Sequence, residues 1–180
     1  MKYTILCEDS QSACFIRRFL KKRHIGRKDI REEISPAGQG CGEQWVRQQY
    51  PGELTNIRKH KGYLIVCTDA DRATVLERIQ ALDAECRKIG VPARTEDDAA
   101  ALIIPKRNIE TWIKYLHGTA VNEDDDYAPP THAADKTKCE KAVQTLDEYC
   151  RQLRQNPPQL PALPLPDSLQ RACLEAKRVF

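Results

Sequence analysis

The 180-residue sequence lacks a membrane span: no run of about 18 apolar residues free of charge occurs in it. It lacks the CxxC pairs and compact His/Cys clusters of zinc sites, although it holds eight cysteines, at 7, 14, 41, 67, 86, 139, 150 and 173. It lacks a Walker motif, so ATP hydrolysis is not written into this chain. Gly38-x-Gly40-x-Gly42 has neither the dinucleotide pattern nor the P-loop lysine, and reads as a flexible turn. Nothing sets up a nucleophile elbow, and His24, His60, His117 and His132 share no spacing. The first residues lack the basic start, long apolar stretch and cleavage site of a secretory signal. The expectation is a cytoplasmic protein without membrane attachment, its cysteines free and mostly buried as small hydrophobes.

What is present is an ordinary globular composition, 41% hydrophobic and 31% charged, enough to bury a core without staples. The net charge of +3 conceals an asymmetry. Residues 1–62 carry 13 Lys/Arg against 7 Asp/Glu, and the remainder 16 against 19. The excess concentrates in Arg17, Arg18, Lys21, Lys22, Arg23, Arg27, Lys28 and Arg31, opposed within that span only by Asp29. Such a patch can neutralise phosphates without reading sequence, so the first seven are candidate nucleic-acid contacts; a solvated helix face is the bland alternative.

Strand and helix patterns alternate along the first two thirds. Lys2–Cys7 is a β-prone run. A helix follows, capped by Ser10 or Ser12, with Cys14, Phe15, Ile16, Phe19 and Leu20 on its apolar face. Asp29–Ser35 reads as a polar edge strand, and Glu43–Gln49 as a short helix stopped by Pro51-Gly52. Gly62–Thr68 is continuously apolar, as a central strand covered on both faces would be. Ala73–Ile89 is a helix, Ala99–Ile104 another buried strand, and Asn108–Leu116 a helix with Trp112 turned into the core. The alternation predicts an α/β fold: a mostly parallel sheet flanked by helices over residues 1–118. Residues 119–180 form a helical C-terminal extension: an acidic loop (Glu123, Asp124, Asp125, Asp126), a helix over about 135–153, a Pro-rich strap and a last helix capped by Asp167 or Ser168. Leu160, Leu163 and Leu165 would lay the strap on the core.

Ligands of such sheets bind beyond the carboxyl ends of the strands. Glu8 ends the first strand there and Asp69-Ala70-Asp71 follows the third, with Asp69 and Asp71 expected on one side of the chain. Glu110 follows the last strand closely enough to reach the same edge. Carboxylate oxygens are the ligands that Mg²⁺ and Mn²⁺ prefer, and a cation held by Glu8, Asp69 and Asp71 could activate water against a phosphodiester. Lys106 and Arg107, between the last strand and Glu110, are candidates for stabilising the charged transition state. The bland alternatives are that an Asp of the DxD simply caps the next helix, and that Glu110 pairs with Lys106.

The stretches TILCEDSQSACFIRRFL and YLIVCTDADR together resemble the TOPRIM domain of topoisomerases, primases and overcoming-lysogenization-defect nucleases, in which one strand ends in a catalytic Glu and a later strand in DxD. IIPKRNIETWIKYL, with its Glu110-Thr111-Trp112, and the terminal LPDSLQRACLEAKRV are similar to segments of small TOPRIM-like proteins of bacterial defence loci. The core resemblance covers about residues 1–116. It implies a nuclease requiring Mg²⁺ or Mn²⁺, with Glu8, Asp69 and Asp71 as ligands and Glu110 and Lys106 assisting. It further implies a separate ATPase partner and an antiviral role. Asp9 stands where the family has Gly, and Ser12 where nuclease-type relatives have a second acid, which leaves room for a non-catalytic binding subunit. A dedicated RNA-processing enzyme would share the same residues.

Overall fold

A computed structural model describes residues 2–37, 41–127, 132–155 and 163–180, with side chains throughout except at 132–138. Four strands, β1 (Tyr3–Cys7), β2 (Ile30–Ile34), β3 (Tyr63–Cys67) and β4 (Ala100–Ile103), form one sheet in the order β2-β1-β3-β4, every neighbouring pair parallel. The helices are α1 (Ser10–Lys22), α2 (Gly42–His60), α3 (Val75–Lys88), α4 (Ile109–Leu116), α5 (His132–Gln152) and α6 (Asp167–Glu175). The protein is an α/β fold with a helical C-terminal extension, as the alternation predicts. Among the described residues, no helix is long and apolar enough to cross a membrane.

Strands β1, β3 and β4 are covered on both faces, and alternation divides their residues between two cores. Tyr3, Ile5, Cys7, Ile65, Cys67, Ala101 and Ile103 pack with α1, α4, α5 and α6 around Phe15, Phe19 and Trp112. Leu6, Leu64, Val66, Ala100 and Leu102 pack with α2 and α3 around Tyr50, Leu54 and Leu82. The polar strand β2 lies at the edge, where only Ile30 is buried. The buried side chains of α5 and α6, among them Val143, Leu146, Leu169 and Ala172, belong to the same core as α1. Leu163 and Leu165 pack against that core, and the Leu163 carbonyl accepts from the Tyr115 hydroxyl at 3.0 Å. Leu160 lies outside the described residues, as do Gly38 and Gly40.

Several local expectations are corrected. Helix α2 does not stop at Pro51-Gly52 but runs on to His60. Pro51 removes one N–H donor, and the burial of Val46, Tyr50, Leu54 and Ile57 along one stripe outweighs that loss. The cap of α1 is Asp9, not Ser10 or Ser12: its Oδ1 accepts from the backbone N–H of Gln11 at 2.7 Å and of Ser12 at 2.8 Å. Helix α3 is capped by Thr74 in a capping box with Glu77, so neither Asp of the DxD performs that role. The first turn of α6 is capped from a distance: Glu123 accepts from the Ser168 backbone N–H at 3.3 Å and from its hydroxyl, which in turn accepts from the Trp112 indole at 2.8 Å. The cysteines are not all free. Cys150 and Cys173, with Cα atoms 5.0 Å apart, form a disulfide that ties α5 to α6. Linear spacing carries no sign of that pairing, because the packing of α6 against α5 brings the two together.

Candidate functional site: a carboxylate cluster at the sheet edge

Register builds the site. Cys7 of β1 sits beside Cys67 of β3, so Glu8 emerges next to Thr68 at the carboxyl edge. The Thr68 hydroxyl donates to Glu8 Oε1, and the Asp69 backbone N–H donates to the same oxygen at 2.8 Å. The chain beyond β3 stays tied to the chain beyond β4: Ala70 N–H donates to the Pro105 carbonyl at 2.8 Å, and the Ala70 side chain is wholly buried. Asp71 leaves the extended form at φ +56°, a left-handed turn that Asp tolerates better than most residues. The first acid of the DxD is therefore held inward, while the second is 59% exposed.

A residue that the sequence did not flag holds this turn. Arg78 of α3, only 12% exposed, donates to the Asp69 carbonyl at 2.9 Å and to the Ala70 carbonyl at 3.3 Å. It also pairs with Glu43 of α2 and lies 3.6 Å from the Asp71 carboxylate. Gly42, at the start of α2, passes close to Glu8. A Cβ there would stand 3.0 Å from the Glu8 Cβ and 3.3 Å from its carbonyl oxygen. Helical periodicity would have put Arg78 on a face, but not on the loop it clamps.

The electrostatics are one-sided. Burial pushes the Asp69 carboxyl up to about 8, with Glu8, Asp9, Asp71 and Glu110 adding repulsion in that order. Burial also raises the Glu8 carboxyl, against the lowering action of its Thr68 and Asp69 hydrogen bonds. Glu110, half-buried in the first turn of α4, is raised by burial and by Asp9, although a hydrogen bond from its own backbone opposes this. Asp69 Oδ1 is buried without a hydrogen-bond partner. Glu8, Asp9, Asp71 and Glu110 all stand near enough to Asp69 to repel it, but the turn at Asp71 breaks the extended alternation expected to set Asp69 and Asp71 on one side of the chain. Among the described residues, no three His, Cys, Asp or Glu side chains stand in ready metal-holding geometry.

The cations fall elsewhere. Lys106 donates to the Ala73 carbonyl at 3.2 Å and lies 3.7 Å from Asp124, not against Glu110. Arg107 makes a two-point pair with Asp126 at 3.1 and 2.7 Å and donates to the Asp71 carbonyl at 3.2 Å. The acidic loop therefore folds over both candidate cations. The basic stretch divides as well. Arg17 pairs with Glu32 at 2.7 Å, Arg23 with Asp147 while stacking on Phe19 and Phe180, and Arg27 with Glu32 at 3.3 Å. Arg18 is engaged too. Lys21, Lys22 and Lys28 stay exposed. Because α1 runs back against β1, its last turn and the residues up to Lys28 lie by the amino ends of the strands. A five-residue strand spans on the order of 15 Å, so this group sits across the sheet from the carboxylates. Trp112 is a core residue at 1% exposure. Comparison with family models, with curated proteins and with solved structures finds no match to this chain.

Proposed function

We propose that the chain is a divalent-metal-dependent phosphodiesterase acting on nucleic acid, with its centre at Glu8, Asp69, Asp71 and Glu110. The observation that carries this reading is Asp69: a buried carboxylate oxygen without a partner, surrounded by four further acids. Such a concentration of charge is costly unless a proton or a cation balances it. The donors are all oxygen, which suits Mg²⁺ or Mn²⁺. A cation bound there would supply a Lewis acid and a lowered water pKa. The chain's own residues do the remaining work. Thr68 and the Asp69 N–H fix Glu8, Arg78 fixes the turn that presents Asp71, and α4 brings Glu110 to the same edge. Lys106 and Arg107 would meet substrate phosphate once Asp124 and Asp126 yield them.

The sequence resemblance extends the reading to the effector of an ATPase-linked antiviral system in the cytoplasm, the ATPase being a separate protein. The hydrogen bonds that already occupy Glu8 Oε1 favour a second reading, a non-catalytic binding subunit with the same fold. Cleavage by purified protein separates the two. Plasmid, single-stranded DNA and tRNA are offered in Mn²⁺ and in Mg²⁺, with EDTA and Asp69→Ala as controls. Cutting that disappears in both controls supports the nuclease and identifies its substrate. Cutting that survives Asp69→Ala removes the proposed centre. An inactive chain that still binds nucleic acid supports the second reading.

A further inference from the structure

The amino edge of the sheet carries a cleft that the proposed nuclease centre does not use. A parallel sheet gathers the carboxyl ends of its helices there, and cations complement those helix ends. α1 ends in Lys21 and Lys22, and α2 in Arg58, Lys59 and His60. Register then aligns the chain entering three strands, since Tyr3 sits beside both Ile30 and Tyr63. Lys2, Lys28 and Lys61 consequently stand at the mouths of β1, β2 and β3. Together with Arg31, His60 and Asn56 they line a cleft of about 610 Å³. That is within the roughly 300–1,000 Å³ of small-ligand sites.

The cleft keeps a positive surplus. Lys2 Nζ donates to the Lys28 carbonyl at 2.6 Å and lies 3.5 Å from Asp29. Arg31 is shared between Glu33, at 2.8 Å, and Glu53. Lys28 and Lys61 are exposed and have no acidic partner among the described residues. His60 adds a hydrogen-bonding ring at the rim. Exposed Lys21, Lys22, Arg27 and Lys59 extend the basic surface beyond the cleft. Among the described residues no Phe, Tyr or Trp side chain lines it, which leaves base stacking a minor part of any binding there.

We propose that this cleft seats the phosphate backbone of a nucleic-acid strand, without regard to sequence, on the face opposite the carboxylate cluster. Lys28 and Lys61 make the phosphate contacts, and Lys2 and Arg31 widen the positive field. The proposal is independent of any catalysis at Glu8 and Asp69; it shares only the class of ligand.

The test is fluorescence anisotropy of a labelled 20-nucleotide single strand bound to the full chain, in EDTA, between 50 and 200 mM salt. EDTA removes any contribution of a metal, so failure here and failure of the nuclease reading are separate results. Two lost phosphate contacts should lower the slope of log affinity against log salt by about 1.4 in Lys28→Gln/Lys61→Gln. Lys28→Arg/Lys61→Arg should keep the wild-type slope. Matching thermal unfolding of both variants establishes that the fold is intact. Wild-type and Gln-variant slopes that coincide would overturn the proposal, as would a wild-type chain that does not bind the strand at 50 mM salt. Displacement of the strand by millimolar inorganic phosphate or AMP, with the Gln variant resistant to it, would reassign the cleft to a free phosphate ligand and also overturn the proposal.

Discussion

Replacing Asp69 by Asn should stabilise this protein at neutral pH, although it removes a buried titratable group. Burial and the surrounding carboxylates of Glu8 on β1, Asp9 at the head of α1, Asp71 in the turn and Glu110 on α4 hold the Asp69 carboxyl at about 8, against 3.8 for an ordinary Asp. Neither guanidinium in contact with the turn is turned to Asp69: Arg78 of α3 is spent mainly on Glu43 and on carbonyls, and Arg107 on Asp126 and the Asp71 carbonyl. A carboxyl raised on folding binds its proton more tightly in the native state than in the unfolded one. Its contribution is neutral below pH 3.8, where both states are protonated. Stability falls as pH rises from there to about 8, because the unfolded state ionises first. At pH 7 the burden amounts to about 3 pH units, or at most about 4 kcal/mol. Relaxation of the exposed Asp71 and of solvent will reduce it. Urea denaturation of wild type and Asp69→Asn between pH 4 and 9 measures the difference directly. The two curves should lie closest near pH 4 and diverge toward pH 8, with Asn the more stable by roughly 1–4 kcal/mol. In thermal melts each kcal/mol should appear as roughly 2–4 °C. Saturating Mg²⁺ or Mn²⁺ should narrow the gap by stabilising wild type alone. A difference that does not change with pH, or an Asn variant less stable than wild type throughout, would refute the reasoning.

Three further outcomes follow from the same contacts. Gly42→Ala forces a Cβ against Glu8 and should cost about 1–3 kcal/mol in urea denaturation, with Gly52→Ala, which meets open space, as the control. Cys150→Ser opens a link spanning 23 residues between α5 and α6, and should cost about 3 kcal/mol in the oxidised protein and nothing once wild type is reduced. Asp98 accepts two 2.7 Å bonds from Arg58, which hold its carboxyl down at about 2. That contribution is full above pH 3.8 and lost as pH falls toward 2, so Asp98→Asn should lower the urea midpoint at pH 7 and converge on wild type near pH 2.

The strands were legible because each shows its burial. GYLIVCT is apolar throughout as an inner strand must be, and DIREEIS is polar as an edge strand can be. Two strand ends then sufficed to bring Glu8 and Asp69 together, since parallel strands in register deliver their carboxyl ends to one edge. What stayed illegible depends on packing between distant segments. Pro51 reads locally as a helix stop, and only the stripe of Val46, Tyr50, Leu54 and Ile57 against β1, β3 and β4 shows why α2 continues. Asp9 looks like a departure from a motif until its side chain is seen holding the first turn of α1. Arg78 is one of three basic residues on α3, and its clamp on the turn shows only once the first turn of α3 is seen standing beside the loop that leads into it. The basic run 17–31 is continuous in sequence, yet its far end belongs to the amino edge, because a helix crossing the sheet carries its charge from one side to the other. The Cys150–Cys173 link likewise depends on how α5 and α6 meet.

The central claim is that the cluster around Asp69 accepts a divalent cation. The most direct measurement is the electron paramagnetic resonance signal of free Mn²⁺ titrated with wild-type protein and with Asp69→Asn at pH 8. The account predicts that wild type depletes the free-ion signal until a site is filled, that Mg²⁺ in excess restores the signal, and that Asp69→Asn leaves it nearly untouched. Depletion equal in the two proteins, or none in either, would contradict it.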